Sequence, residues 1–209
     1  MRTAKMIAVV ALVLAGLCVV GTRRAEAQTL EAPRARQGYY VSVGLSGEAQ
    51  ASDDDGKSKT LVGSGFGIGL GQMLTPCFGL GIRIDTGSAK ADGVNGSGGG
   101  LALEGQWNLW KQLSLHAGFG FGFTSLEDTK ALEDETSGGY GALVTLAATY
   151  DFFFTSRLTG GWAVTPQLLV RALDGGDVDA VWFGLGVQLS WWSGRPRNEL
   201  VLDEADAYK

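Results

Sequence analysis

The sequence predicts an all-β fold in which eight antiparallel strands close into an up-and-down transmembrane β-barrel. Three observations support this prediction: bulky apolar residues alternate with small or polar ones, long and short connections alternate, and aromatic residues collect at one end of the strands. After residue 20 we find no apolar stretch long enough for a transmembrane helix, and no periodicity of three to four residues.

The first 27 residues have the features of a secretory signal peptide. Two basic residues precede an apolar run from Met6 to Val20, and Ala25–Ala27 has the small-x-small pattern of a cleavage site. The run is too short to span a bilayer comfortably. We therefore expect export through the Sec pathway and cleavage near Ala27. The remaining chain divides into a periplasmic segment, a barrel and a periplasmic tail, over residues 28–37, 38–192 and 193–209.

Composition and charge exclude several classes of function. The chain has 17 Lys and Arg against 22 Asp and Glu, and removing residues 1–27 takes away four basic residues and one acidic residue, which leaves a net charge of −8. Such an acidic chain is a poor partner for nucleic acid. Cys77 is then the only cysteine, so an intrachain disulfide is excluded. The 33 Gly accompany only 4 Pro and 45% hydrophobic residues, which argues against collagen or a disordered linker.

Alternation with a period of two recurs in eight segments, each near the roughly 9–11 residues that a tilted strand needs to cross a bilayer. These segments are 39–47, 61–72, 78–86, 101–109, 113–124, 140–152, 158–171 and 181–191. The first alternates Tyr, Val and Leu with Ser and Gly, and the second sets Phe66 and Ile68 against a run of glycines. The third and fourth alternate Leu and Ile with small residues and with Arg83, Asp85 and Glu104.

The second half of the chain repeats the pattern. The fifth segment sets Leu and Phe against glycines, Ser114 and His116, and the sixth sets Tyr, Val and Leu against Gly and Thr. The seventh places Trp162 and aliphatic residues opposite Thr, Gln and Arg171. In the eighth, Val, Phe, Leu and Trp alternate with Gly, Gln and Ser.

The composition of the two faces distinguishes a membrane barrel from a soluble one. A soluble barrel or sandwich buries its bulky face, and the other face, which meets water, carries many Lys, Glu and Thr. Here the second face is mostly Gly, Ala, Ser and Thr with isolated charges, which suits the crowded inside of a narrow barrel. Bulky residues suit a face that touches lipid. A membrane also requires closure, because hydrocarbon offers no partner to unpaired backbone groups.

Connection lengths predict the direction of the barrel. Long polar connections are expected over 49–60, 87–100 and 125–138, and a shorter one over 173–180. The alternate links, 73–77, 110–112 and 153–157, are short. Outer-membrane barrels have short periplasmic turns and longer external loops, so the N-terminus is expected in the periplasm.

With this direction, an aromatic girdle is predicted at the periplasmic rim. Its members are Tyr39, Trp107, Trp110, Tyr150, Trp191 and Trp192. Ordinary core aromatics are the alternative, but core residues would not sort to one end of their strands.

The first and last predicted strands, GYYVSVGLSGEA and WFGLGVQLSWW, resemble those of small bacterial outer-membrane β-barrels of the OmpA/OmpX type. The resemblance covers residues 38–192, and Gly186, Leu189 and Trp191 resemble the C-terminal assembly signal of that family. It implies an outer-membrane location, contact with outer-membrane lipids and lipopolysaccharide, and recognition by the outer-membrane assembly machinery. One departure is the tail 193–209, because the family's final aromatic residue is often the last of the chain.

Five ionisable residues fall on the inward face by parity: Arg83, Asp85, Glu104, His116 and Arg171. Because buried charges must be paired, we predict mutually paired charges that fill the barrel. A polar site or a narrow pore lining is the alternative. Ser114, His116 and Glu104 loosely suggest a hydrolase, but they do not match the arrangement of known outer-membrane deacylases or proteases.

We therefore expect a monomer with a structural or surface-interaction role in the outer membrane, and no enzyme activity. The alternative is a narrow channel or transporter for small or apolar solutes, and a membrane-embedded lipid hydrolase is less favoured. Eight strands normally leave no aqueous channel, which favours the first interpretation. The Gly-x-Gly runs at 63–71 and 118–122 lie inside predicted strands, so neither a dinucleotide nor any other cofactor is expected, and no metal site is predicted.

Overall fold

The computed structural model describes residues 38–54, 57–91, 93–110, 112–128, 135–154, 161–176 and 178–194. The predicted signal peptide 1–27, the segment 28–37 and most of the tail 193–209 lie outside these ranges. The described strands are β1 (Tyr39–Asp54), β2 (Lys57–Met73), β3 (Phe78–Ala91), β4 (Val94–Trp110), β5 (Leu113–Asp128), β6 (Glu135–Tyr150), β7 (Phe152–Phe153), β8 (Gly161–Asp174) and β9 (Val178–Trp192). No helix long and apolar enough to cross a membrane occurs in the described residues.

The strands close into a barrel. From β1 to β6 each strand pairs antiparallel with the next in the chain, and β9 returns to pair with β1. β8 is bordered by β9 on one side and by β6 and then β7 on the other, and β6 and β7 share one register along β8. The break between them lies where Pro166, which has no N–H to donate, stands opposite Tyr150. The described strands thus form an eight-stranded antiparallel up-and-down barrel, and the predicted fold class is confirmed.

The strands are longer than the sequence predicts, at 14–17 residues except for β7. The predicted long loops 49–60, 87–100 and 125–138 are wrong, because the β1–β2, β3–β4 and β5–β6 ladders continue through most of these ranges. The loops were predicted from their glycine and polar residues, which do not suit a strand that faces lipid. A strand that faces water can contain these residues and still continue its ladder.

The outward face of the barrel is an apolar belt. The side chains of Leu103, Phe121 and Leu185 are 63%, 76% and 67% exposed, whereas the residues beside them in each strand are largely buried. On β5 the belt runs from Leu113 to Phe123, ten residue steps or about 33 Å along the strand. With the usual tilt of about 40° this gives a band about 25 Å tall, the height of the apolar band in outer-membrane barrels. The predicted alternation of bulky outside and small inside is confirmed.

The pattern reverses beyond the belt. We call the end of the barrel that holds Tyr39, Trp192 and the turn 74–77 the turn end, and the opposite end the hairpin end. Towards the hairpin end the outward residues of β3 are Thr86, Ser88 and Lys90, all exposed. The interior there is an apolar cluster made of Leu61, Ala89, Val94, Leu126 and Val178. Polar outside and apolar inside is the arrangement of a barrel in water, so this part of the strands is built to project beyond a bilayer.

The inward glycines provide space for large side chains from other strands. A Cβ atom on Gly71 or Gly81 would lie 2.5 Å from the ring carbons or the hydroxyl of Tyr40. A Cβ atom on Gly98 would lie 2.5 Å from the ring of Trp182. These contacts explain glycines on β2, β3 and β4, where the inner surface lies against bulky side chains of β1 and β9.

Alanine at Gly120 should destabilise the barrel by about 1–3 kcal/mol, because overpacking forces the backbone to shift. Its Cβ would lie 1.9 Å from the carbonyl oxygen of Leu101, a backbone atom of the paired strand that has little room to move. Gly47→Ala is the matched control, because the nearest atom to that Cβ is 4.0 Å away. Urea unfolding in lipid vesicles measures both variants, and equal free energies of unfolding would contradict the prediction.

Candidate functional site

The structure places all five predicted interior residues on the inward face of the barrel. Arg83, Asp85, Glu104 and Arg171 are buried, and His116 is nearly so. Their ion pairs and hydrogen bonds define three groups, and the second and third of these line one cavity through Arg83, Glu104 and His116.

The first group is an ion pair between Glu48 of β1 and Arg171 of β8. Ser46 donates its hydroxyl to Glu48 Oε1 at 2.7 Å, and the Arg171 guanidinium lies 5.3 Å from the ring centroid of Trp182. A Cβ atom on Gly87 would lie 2.6 Å from Glu48 Oε2 and 2.9 Å from Arg171 Nη2, so a glycine on β3 leaves room for the pair. The pair therefore spans the barrel interior from β1 and β8 towards β3.

Glu48 is absent from the sequence prediction. The predicted first strand ended at residue 47, although β1 continues to Asp54. Parity identifies Glu48 once the strand is extended, because inward residues of β1 have even numbers from Tyr40 to Ser52.

The second group joins Arg83 and Asp85, neighbours on the inward face of β3. The Arg83 Nε atom donates to Asp85 Oδ2 at 2.8 Å and to Oδ1 at 3.0 Å. Arg83 Nη2 also donates to Gln167 Oε1 of β8 at 3.2 Å, and Gln188 of β9 donates to the same oxygen. Both charges are thus paired, and the amide of Gln167 connects them to the opposite wall.

The third group is a hydrogen-bonded chain through His116. The His116 Nδ1 atom lies 2.9 Å from Glu104 Oε1, and Nε2 lies 3.1 Å from Thr149 Oγ1. The chain links β4, β5 and β6. Ser114, which the hydrolase interpretation needs beside His116, donates instead to Asn108 Oδ1 at 2.8 Å. Both ring nitrogens of His116 have partners, so the arrangement fixes the imidazole between two strands.

Apolar side chains close the described interior at both ends. At the turn end Tyr40, Met73 and Trp192 form a buried cluster, with the Tyr40 and Trp192 ring centroids 4.9 Å apart. At the hairpin end the interior holds the Leu61 cluster and a second cluster of Ala102, Leu143, Leu173, Ala180 and Trp182. The polar groups are therefore confined between two apolar layers.

The predicted aromatic girdle needs one correction. Tyr39 and Trp191 are exposed on the outward face at the turn end, Tyr150 and Trp107 are partly exposed there, and Trp110 is the last residue of β4. Trp192 is only 3% exposed and packs inside the barrel against Tyr40. The physical reason is parity, because Trp191 and Trp192 are adjacent in one strand and must point to opposite faces.

Within the described ranges no group of three or more His, Cys, Asp or Glu is arranged to hold a metal ion. Arg83, Glu104 and Arg171 each have an ionisable partner, whereas Arg171 Nε is buried without a hydrogen-bond partner among the described residues. The polar groups therefore provide hydrogen bonds and ion pairs that join different strands.

Comparison with known proteins gives a likeness of fold. No family model matches the chain, and no curated protein sequence matches it. Among solved structures, the chain is similar to Ail, the attachment invasion locus protein of Yersinia pestis, with a TM-score of 0.57 and 11% identity over 74% of this chain and 99% of that one. It is also similar to Neisserial surface protein A, with a TM-score of 0.50 and 10% identity over 75% of this chain and 97% of that one. At such low identity the likeness concerns the barrel alone.

Proposed function

We propose that this chain is an outer-membrane β-barrel with a structural or surface-interaction role and a closed interior. The observation that carries the proposal is the placement of its side chains. Bulky apolar residues such as Leu103 and Phe121 are exposed around the barrel, while Arg83, Glu104 and Arg171 are buried inside it. An exposed apolar belt around a closed barrel suits contact with lipid, and closure leaves no backbone group unpaired there.

Several features support the bacterial outer membrane as the location. The predicted signal peptide directs the chain out of the cytoplasm. The resemblance of the first and last strands to the OmpA/OmpX type supports membership of that family and assembly by the outer-membrane machinery. The hairpin end, with its polar outer surface, then projects outside the cell, and the turn end faces the periplasm.

The proposed partners are lipids and lipopolysaccharide at the belt and other surface molecules at the projecting hairpin end. We propose a monomer, because closure gives every described strand except the two-residue β7 two neighbours and leaves no long barrel edge to pair with another copy. The interior favours neither transport nor catalysis, since Arg83 and Arg171 are held in ion pairs and apolar clusters lie at both ends. The hydrolase interpretation loses support because His116 contacts Thr149 in place of Ser114.

Planar-bilayer recording tests the closed interior. The refolded full chain, shown to be folded by its faster gel migration before heating, should insert and produce no reproducible single-channel steps. The ion pairs and the Tyr40–Trp192 layer fill the path that ions would need. Reproducible steps of uniform size would overturn the closed-barrel proposal and favour the alternative, a narrow channel.

A further inference from the structure

A small polar cavity lies inside the barrel near the turn end. Its wall includes the His116 chain and the Tyr40–Trp192 pair, and every side chain on the wall carries a polar atom. The space that the centre of a water molecule can reach is about 20 Å³. A buried water needs at least about 10–15 Å³ by this measure, so the cavity has room for one molecule of that size.

Two residues that line the cavity each have a buried side-chain atom without a hydrogen-bond partner among the described residues. The atoms are Gln106 Oε1 of β4, in a side chain 1% exposed, and Trp192 Nε1 of β9, in a side chain 3% exposed. Leaving such a group unsatisfied in the interior destabilises the folded state. Two such atoms in residues that line one small cavity indicate a partner that the protein itself does not supply.

The orientation of the Gln106 amide is fixed by its neighbours. Asn108 donates through Nδ2 to the carbonyl oxygen of Pro76 at 3.1 Å, so Asn108 Oδ1 is the acceptor of that side chain. Gln106 must therefore present its NH2 group to Asn108 Oδ1, at 3.1 Å. The Oε1 atom of the Gln106 amide therefore has no partner, and it needs a hydrogen-bond donor.

The two atoms define what can occupy the cavity. Gln106 Oε1 accepts, so the occupant must donate a hydrogen, which a halide ion does not do. Trp192 Nε1–H donates, so the occupant must offer a lone pair, which a metal cation does not do. From the size of the cavity and these two requirements we infer that it binds one ordered water, which bridges Gln106 and Trp192.

Such a water links the last strand of the barrel to the far wall. Trp192 ends β9, which pairs with β1 and β8, whereas Gln106 belongs to β4 on the other side of the interior. The bridge adds a polar contact to the otherwise apolar packing of Trp192 on Tyr40 and Met73. It holds the indole of Trp192 inward, beside an outward Trp191.

Water-to-indole nuclear Overhauser spectra of the 15N-labelled, refolded full chain in nanodiscs test this inference. Trp→Phe variants assign the indole signals. The Trp192 Nε1–H signal should show a cross-peak to bound water in the wild type. In Gln106→Met, a variant of similar length without the acceptor, the cross-peak should fall below detection. Gln72→Met, a change on the exposed surface of β2, should leave it unchanged.

A folded wild type without the cross-peak would overturn the inference, and so would a cross-peak that survives in folded Gln106→Met. If Gln106→Met does not fold, a crystal structure of the wild type decides the question. Water density within hydrogen-bond distance of both atoms, about 2.7–3.2 Å, supports the inference. A direct bond between Gln106 and Trp192, or density coordinated as a metal ion, overturns it.

Discussion

Replacing Arg171 by methionine should lower the free energy of unfolding of the barrel by about 3–5 kcal/mol. Arg171 is 2% exposed, and it is the cation that pairs with buried Glu48. Methionine keeps much of the side-chain volume but leaves the Glu48 carboxylate without a counter-charge in the interior. Urea titration in lipid vesicles, followed by tryptophan fluorescence, measures the loss.

Two further variants separate the effect of the unpaired charge on stability from the effect of altered packing. Glu48→Gln combined with Arg171→Met removes both charges, keeps an acceptor for the Ser46 hydroxyl, and should recover most of the lost stability. Lys90→Met, which removes a cation from the exposed surface of β3, should change stability by less than about 0.5 kcal/mol. A single variant as stable as the double variant would show that Glu48 does not depend on Arg171.

All three polar groups contain contacts between strands. Glu48–Arg171 and Arg83–Gln167 join strands that do not pair with each other, and the His116 chain joins the paired strands β4, β5 and β6. Glu48 and Arg171 are 123 residues apart in sequence, Arg83 and Gln167 are 84 apart, and His116 and Thr149 are 33 apart. A slip of one residue in any strand would move its inward polar side chains into lipid. Buried pairs of this kind favour the correct register because alternative pairings leave charges unsatisfied.

The sequence predicted the fold class and the inward residues because both depend on a local period of two. Parity alone placed Arg83, Asp85, Glu104, His116 and Arg171 inside. Parity also predicts that Trp192 points inward. The girdle prediction used only the position of residues near strand ends, so it placed Trp191 and Trp192 on the same face.

The partners within the interior could not be predicted, because they depend on the stagger between strands. Ser114 stands opposite Thr149 in the β5–β6 ladder, so His116 reaches Thr149 along a diagonal that the sequence does not reveal. Strand length was missed for a different reason. Beyond the belt the surroundings change from lipid to water, and glycine and polar residues stop being signals of a turn.

Arginine at Leu103 should destabilise the barrel by about 2–4 kcal/mol in lipid vesicles, because it places a charge near the middle of the hydrocarbon. Leu103 is 63% exposed, and its ladder partners Ile82 and Phe119 lie near the centre of the apolar belt. Urea unfolding in vesicles measures the change, and gel migration before heating confirms that the variant is folded.

Thr86→Arg is the matched control, since Thr86 is also exposed and outward but lies at the edge of the belt, opposite Phe66 in the β2–β3 ladder. Near the interface the cost of arginine falls to about 0–1 kcal/mol, so the two variants should differ by at least about 1 kcal/mol. A water-soluble barrel would tolerate both changes about equally, because each replaces an exposed side chain and leaves the core intact. Equal stability of the two variants in vesicles would therefore contradict the interpretation that the belt faces lipid, on which the proposed location depends.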